Sequence, residues 1–177
     1  MPDPSTTHRL VAADFYTPSY RIVGKVMIPN TGLLGLLNDT THSFMEILDA
    51  NLARIHMPTK LVEHYEVVRI VKPHIFAVAL SRREDLGPQA LTRGGFQRMT
   101  DYPIKVTTSV FELEGVIEWA GRFDFSVIMV EGQRMFVPLF NAQLTAVLIP
   151  ALKVEAPALM FNREQIDLMA LSGQRIT

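Results

Sequence analysis

A chain of 177 residues, 48% of them hydrophobic, is large enough to bury its own core and too apolar to be disordered. It has no cysteine, which excludes disulfide staples, thiolate metal sites and cysteine nucleophiles. Its formal charge of −1 advertises neither nucleic acid nor an acidic membrane surface. Residues 1–19 read as an N-terminal arm marked by Pro2, Pro4 and Pro18, in which Leu10-Val11-Ala12-Ala13 is a short edge strand or one helical turn. This start is polar and unlike a signal peptide, and no apolar run approaches the ~20 residues of a membrane span. A soluble, cytoplasmic protein is expected.

Tyr20–Ile28 is rich in β-branched residues and reads as a strand, ended by Pro29-Asn30-Thr31-Gly32. Leu33-Leu34-Gly35-Leu36-Leu37 reads as a short helix capped by Thr31 and stopped by Asn38-Asp39, with a strand as the rival. Strands follow at residues 44–53, 61–71 and 75–80, the last two parted by Lys72-Pro73. Residues 81–108 carry Gly87-Pro88, Gly94-Gly95 and four arginines, and read as a linker with a helical turn near Pro88. Beyond it, residues 111–119, 123–130 and 134–146 read as strands, with Glu131-Gly132 as a hairpin signal and Pro138 demanding an edge or a bulge. Residues 148–159 hold two prolines and read as irregular or edge-like, before a last strand at Ile166–Leu171.

Residues 44–53 return at 136–145. Phe44/Phe136, Ala50/Ala142 and Leu52/Leu144 coincide at an offset of 92. Gly24/Gly115 and Val26/Ile117 match at 91, and residues 75–80 match 166–171 at the same offset. A recurring offset is the mark of an internal duplication. The expected architecture is all-β with a few short helical turns: two related small antiparallel barrels or rolls, residues 20–80 and 109–177, packed as a pseudo-dimer.

Gly24-Lys25-Val26, then Leu37-Asn38-Asp39, then the stretch from Phe44 to Asp49-Ala50 resemble the pattern of an uncharacterised prokaryotic family of short small-β-barrel proteins, SH3-like or Sm-like, of unknown function. The likeness spans about 30 residues of the first unit. It implies a small barrel for each unit and brings no activity with it.

The chemistry-bearing residues are weighed against plainer roles. His42, His56, His64 and His74 lie in the first unit and His8 in the arm, without metal-ligand spacing; a metal-dependent enzyme around them is the weakest reading, and no metal or cofactor is expected. Ser43 beside His42 lacks the elbow of a nucleophile. Glu112, Glu114 and Glu118 step evenly along one strand, as a solvated face does. Arg82, Arg83, Arg93 and Arg98 are candidate anion or nucleic-acid contacts, the basis of an alternative nucleic-acid- or nucleotide-binding reading. Leu33, Leu34, Leu36 and Leu37, with Ile128 and Met129, are too apolar for one small sheet; they are expected between the two units or at an interface with a protein partner or a second copy. The sequence thus points to a non-enzymatic binding or assembly module of unknown ligand.

Overall fold

Alternating burial along the chain accounts for most of the strands. In Tyr20–Ile28 the side chains of Ile22, Val26 and Ile28 turn inward while those between face out. The computed structural model describes residues 8–91, 98–131 and 134–174. In chain order these hold β1 (Arg9–Tyr16), β2 (Tyr20–Ile28), α1 (Gly32–Asn38), β3 (Phe44–Arg54), β4 (Leu61–Val71), β5 (Ala77–Leu80), α2 (Pro88–Leu91), β6 (Met99–Thr108), β7 (Phe111–Ala120), β8 (Phe136–Ala146), β9 (Lys153–Asn162) and β10 (Ile166–Leu171).

All ten strands belong to one antiparallel sheet of order β10-β6-β7-β8-β9-β5-β1-β2-β3-β4. The mostly-β class is as expected. The arrangement differs from two barrels packed side by side: a ladder between β5 and β9, Ala77 opposite Phe161 through Leu80 opposite Ala158, makes one sheet of the two halves. The sheet does not close, because its ends, β4 and β10, do not pair with each other.

Each half runs in the same spatial order, β5-β1-β2-β3-β4 and β10-β6-β7-β8-β9. The β2–β3 ladder slips between Val23 and Lys25, and the β7–β8 ladder slips between Glu114 and Val116, 91 residues on. Asp49 and Asn141 have left-handed backbones, φ 51° and 46°, and each resets the inward alternation of its strand. A side chain at Gly24 would lie 2.9 Å from the Leu48 carbonyl oxygen, and one at Gly115 2.8 Å from that of Phe140. Only glycine admits so close a neighbouring strand beside the bulge.

One apolar cluster lies on each face of the central strands. Val78 and Leu80 of β5 join the cluster of the first half; Ala77 and Ala79 join that of the second. β5 is therefore buried at every position, and its Ala-Val-Ala-Leu sequence carries no polar side.

Four expectations are corrected. The arm of residues 1–19 contains β1, a central strand paired with both β2 and β5, with Phe15 and Tyr16 fully buried. The linker of residues 81–108 contains β6, so the second half begins at Met99. Within residues 123–130 a π-helical turn, Val127–Glu131, stands where a strand was expected. Residues 153–162 form the interior strand β9 despite Pro157. The prolines fit because each lies where one of its two ladders stops. Pro138 is beyond the last β7 partner at Phe140, Pro157 is beyond the last β5 partner at Ala158, and Pro103 is one step past the last β10 partner at Ile104.

Tyr16 predicts how stability depends on pH. Its ring is fully buried and meets Phe111 edge-on at 5.9 Å, while its hydroxyl donates to Asp14 at 3.3 Å. Burial, then the charge of Asp14, holds the phenol far above its ordinary range. An unfolded tyrosine ionises near pH ~10. Stability is therefore unaffected by this group below that pH and falls as pH rises above it, because the unfolded chain releases a proton that the folded chain retains. Tyr16→Phe should cost about 1 kcal/mol near neutrality for the lost hydrogen bond and flatten the alkaline limb. Urea titrations from neutral to alkaline pH check this; parallel limbs in the two proteins would refute it.

Candidate functional site

β4 ends the sheet, and its outer backbone edge has no strand partner among the described residues. Its sequence, LVEHYEVVRIV, has strong β propensity over eleven residues. Leu61, Val62, Tyr65, Val67 and Val71 are exposed, from 40% to 60%, and Tyr65, Val67 and Val71 share the face opposite Val68 and Ile70. The equivalent strand of the other half, β9, has Ala158, Leu159, Met160 and Phe161 fully buried, because β5 covers its edge. Isolated edges are normally blunted by shortness, proline, lysine or a bulge. β4 is long and has neither proline nor lysine, and its ladder is irregular only at its start, between Leu61 and Glu63. Two of its polar groups are held by its neighbour strand: Arg69 pairs with Glu46 at 3.1 Å, and His64 reaches Asp49 at 3.4 Å and Asn51 at 3.0 Å. At the opposite end β10 exposes Leu168, at 51%.

Each half also has a cleft where its second and third strands splay beyond the bulge. In the first half Val26, Leu36, Phe44 and Leu48 line about 310 Å3, with His42 and Lys72 at its margin. In the second half Ile117, Trp119, Ile128, Phe136 and Phe140 line a larger space of about 590 Å3. Beside it Arg83 lies over the Phe140 ring at 3.9 Å and pairs with Glu118 at 2.6 Å. Lys72 is almost fully buried and donates to the carbonyls of Leu36 and Asp39, both at 2.8 Å, closing the end of α1. Burial holds its ammonium below the ordinary lysine range, against the opposing pull of Asp39. Arg163, 91 residues later, donates to the carbonyl of Ile128 at 3.0 Å. These two cations fasten corresponding turns and are committed to structure.

The residues singled out in the sequence fall as follows. Leu33, Leu34 and Leu37 are buried and Leu36 is partly buried, all in the first cluster, where they meet Leu86 and Ala90 of the connection and Phe136 and Phe140 of β8. The Asn38 side chain fixes this contact from both sides, donating to the Phe136 carbonyl at 3.1 Å and accepting its N–H at 2.8 Å. The leucines thus lie between the halves; as a surface for an outside partner they are corrected. Ile128 is buried and Met129 is exposed at 39%. Arg82 pairs with Glu84 at 2.6 Å and Arg83 with Glu118, so neither offers a free charge; Arg98 is exposed, and Arg93 lies outside the described residues.

Among the described residues no three His, Asp or Glu side chains gather as metal ligands. His42 turns to Thr41 and Asp39, away from the pair that His64 makes. Glu112 and Glu114 share Lys105 at 3.0 and 3.7 Å, the behaviour of a solvated strand face. Among the described residues no helix is long and apolar enough to cross a membrane. The open edge of β4 went unnoticed in the sequence, where the only available signal was the lack of proline and lysine across eleven strand-forming residues.

No protein-family model, no curated protein and no solved structure matches the chain.

Proposed function

We propose that this protein is a non-enzymatic assembly module, made by duplication of one small β unit, that associates through the edge of β4. The observation that carries the reading is an eleven-residue edge strand with exposed apolar side chains and neither proline nor lysine, regular in its ladder from Glu63 to Val71. An unpaired edge gives a second chain backbone hydrogen bonds for affinity and alternating side chains for selectivity. Duplication is supported by the shared strand order, the matching ladder slips and the matching left-handed residues at one nearly constant offset. The small-barrel likeness of each unit remains part of this proposal.

Sedimentation measurements from micromolar to submillimolar concentration test it. The wild type should exceed monomer mass as concentration rises. Val67→Lys, which sets a charge on the edge, should weaken association by at least about tenfold and leave the urea midpoint unchanged. Leu148→Lys, at a residue 90% exposed in the β8–β9 turn, should have no effect on association. A wild type that stays monomeric throughout, or a Val67→Lys variant that associates as well as the wild type, overturns the reading.

A further inference from the structure

The junction inside the chain shows what an edge of this kind pairs with. There the fifth strand of the first half, β5, lies on the fourth strand of the second half, β9. The two free ends of the sheet are the complementary members of the same pairing: β4 corresponds to β9, and β10 corresponds to β5. We propose that β10 of a second copy of this chain sits on β4, in the register of the internal junction and head to tail. The proposal rests on the assembly reading above and names its partner and geometry.

The register follows from the offset of 91. The internal pairs are Ala77–Phe161, Val78–Met160, Ala79–Leu159 and Leu80–Ala158. Their counterparts between copies are Leu168 with Ile70, Met169 with Arg69, Ala170 with Val68, and Leu171 with Val67. The side chains suit these places. Val68 and Ile70 face the cluster of their own half, as Leu159 and Phe161 do. Met169 and Leu171 pack on their own cluster, as Val78 and Leu80 do. Leu168, opposite Ile70, occupies the position of the fully buried Ala77 yet is 51% exposed in the single chain. Only a neighbouring strand supplies the missing cover.

The flanking contacts change in a matched way. At the internal junction Phe76 and Tyr16 meet Phe111 edge-on, at 6.3 and 5.9 Å. Shifted by 91, Phe76 becomes Asp167, Tyr16 becomes Thr107, and Phe111 has Tyr20 as its counterpart. An aromatic trio becomes a carboxylate, a hydroxyl and a phenol, so a hydrogen-bonded contact replaces an edge-on aromatic one at the same place. Because the two surfaces differ, the contact is heterologous, and its repetition gives a closed ring or an open filament.

The absence of native cysteine allows a direct test. Neighbouring pairs in an antiparallel ladder alternate between wide and narrow, and the narrow one suits a disulfide. Two adjacent pairs are therefore used: Arg69→Cys chains mixed with Met169→Cys chains, and Val68→Cys chains mixed with Ala170→Cys chains, under mild oxidation. In at least one mixture the mixed disulfide dimer should form at least about tenfold faster than dimers of either variant alone. Arg69→Cys mixed with Leu171→Cys, two residues off register, should stay at the background rate. Rapid dimerisation of Arg69→Cys or Val68→Cys alone would mean β4 pairs with β4; it overturns this proposal and leaves the assembly reading standing. No excess in either mixture, under conditions where the chain is associated, overturns the β10–β4 contact. Equal yields in and out of register overturn the register.

Discussion

Replacing Gly32 or Gly87 by alanine should remove about 3–5 kcal/mol of stability, a large share of the about 5–15 kcal/mol that holds a domain together. Gly32 opens α1 and Gly87 follows the turn Arg83–Leu86, and both are buried. Their backbones have φ of +76° and +109°. A methyl group at Gly32 would overlap the Leu86 carbonyl oxygen and the Gly87 backbone, and one at Gly87 would overlap the Thr31 carbonyl. Neither neighbour is a side chain that can turn away. The left-handed backbone costs about 1–3 kcal/mol for any residue with a side chain, and forced overlap in a packed region adds about 1–3 kcal/mol. Gly121→Ala separates the two terms, because Gly121 has φ +75° with nothing within 4 Å of the added carbon. It should lose only the backbone part, about 1–2 kcal/mol. Urea midpoints of the three variants decide the matter. Equal losses would mean that the contact between α1 and the connection contributes nothing.

That contact also explains how the leucines of α1 were read. Four leucines in five residues announced burial beyond a single small sheet, and Asn38-Asp39 marked the end of the helix, although Thr31 stands at its start without a side-chain capping bond. What the residues could not tell was the identity of the cover. It comes from Leu86 and Ala90 of the connection and from Phe136 and Phe140 of β8, brought there by sheet order. β2, β4 and β10 were legible because propensity and turn residues agree along them. β1 was hidden by Pro2, Pro4 and Pro18 around it, although Val11, Ala13 and Phe15 alternate inward. β6 was hidden by Gly94-Gly95 before it and Pro103 within it, and β9 by Pro157. Proline removes one donor, which matters only on the side where a ladder continues. Which side that is depends on the neighbours. The candidate surface was obscured for the same reason: β4 is plain as a strand, but being an edge is a property of the order of ten strands and has no local signature.

Asn162 ends β9 at the junction of the halves, and Asn162→Ala should cost about 2 kcal/mol. The residue has no exposed surface. Its side-chain amide donates to the carbonyls of Pro73 at 3.2 Å and Ile75 at 3.0 Å, and its side-chain oxygen accepts the N–H of Glu164 at 3.0 Å. Its own N–H donates to the Phe76 carbonyl at 2.9 Å. One side chain therefore ties the end of the second half to the segment that leads into β5 of the first. Alanine keeps the backbone bond and removes the other three. The Pro73 carbonyl still receives Gln165 at 3.0 Å, but that of Ile75 loses its side-chain donor and the Glu164 N–H its side-chain acceptor. The buried Ile75 carbonyl left unpaired costs about 1–3 kcal/mol, while the N–H of Glu164, an exposed residue, turns to water. Asn162→Asp should lose more, because it keeps the acceptor, removes both donors and sets a carboxylate against two carbonyl oxygens. The counterpart position in the first half is Val71, on the open edge and 44% exposed. Val71→Ala should change stability by no more than about 0.5 kcal/mol. Urea unfolding of the three variants checks the order. A loss below about 1 kcal/mol in Asn162→Ala would mean that water takes the place of the amide, and that this side chain adds little to the β5–β9 ladder and the Asn38–Phe136 bonds that join the halves.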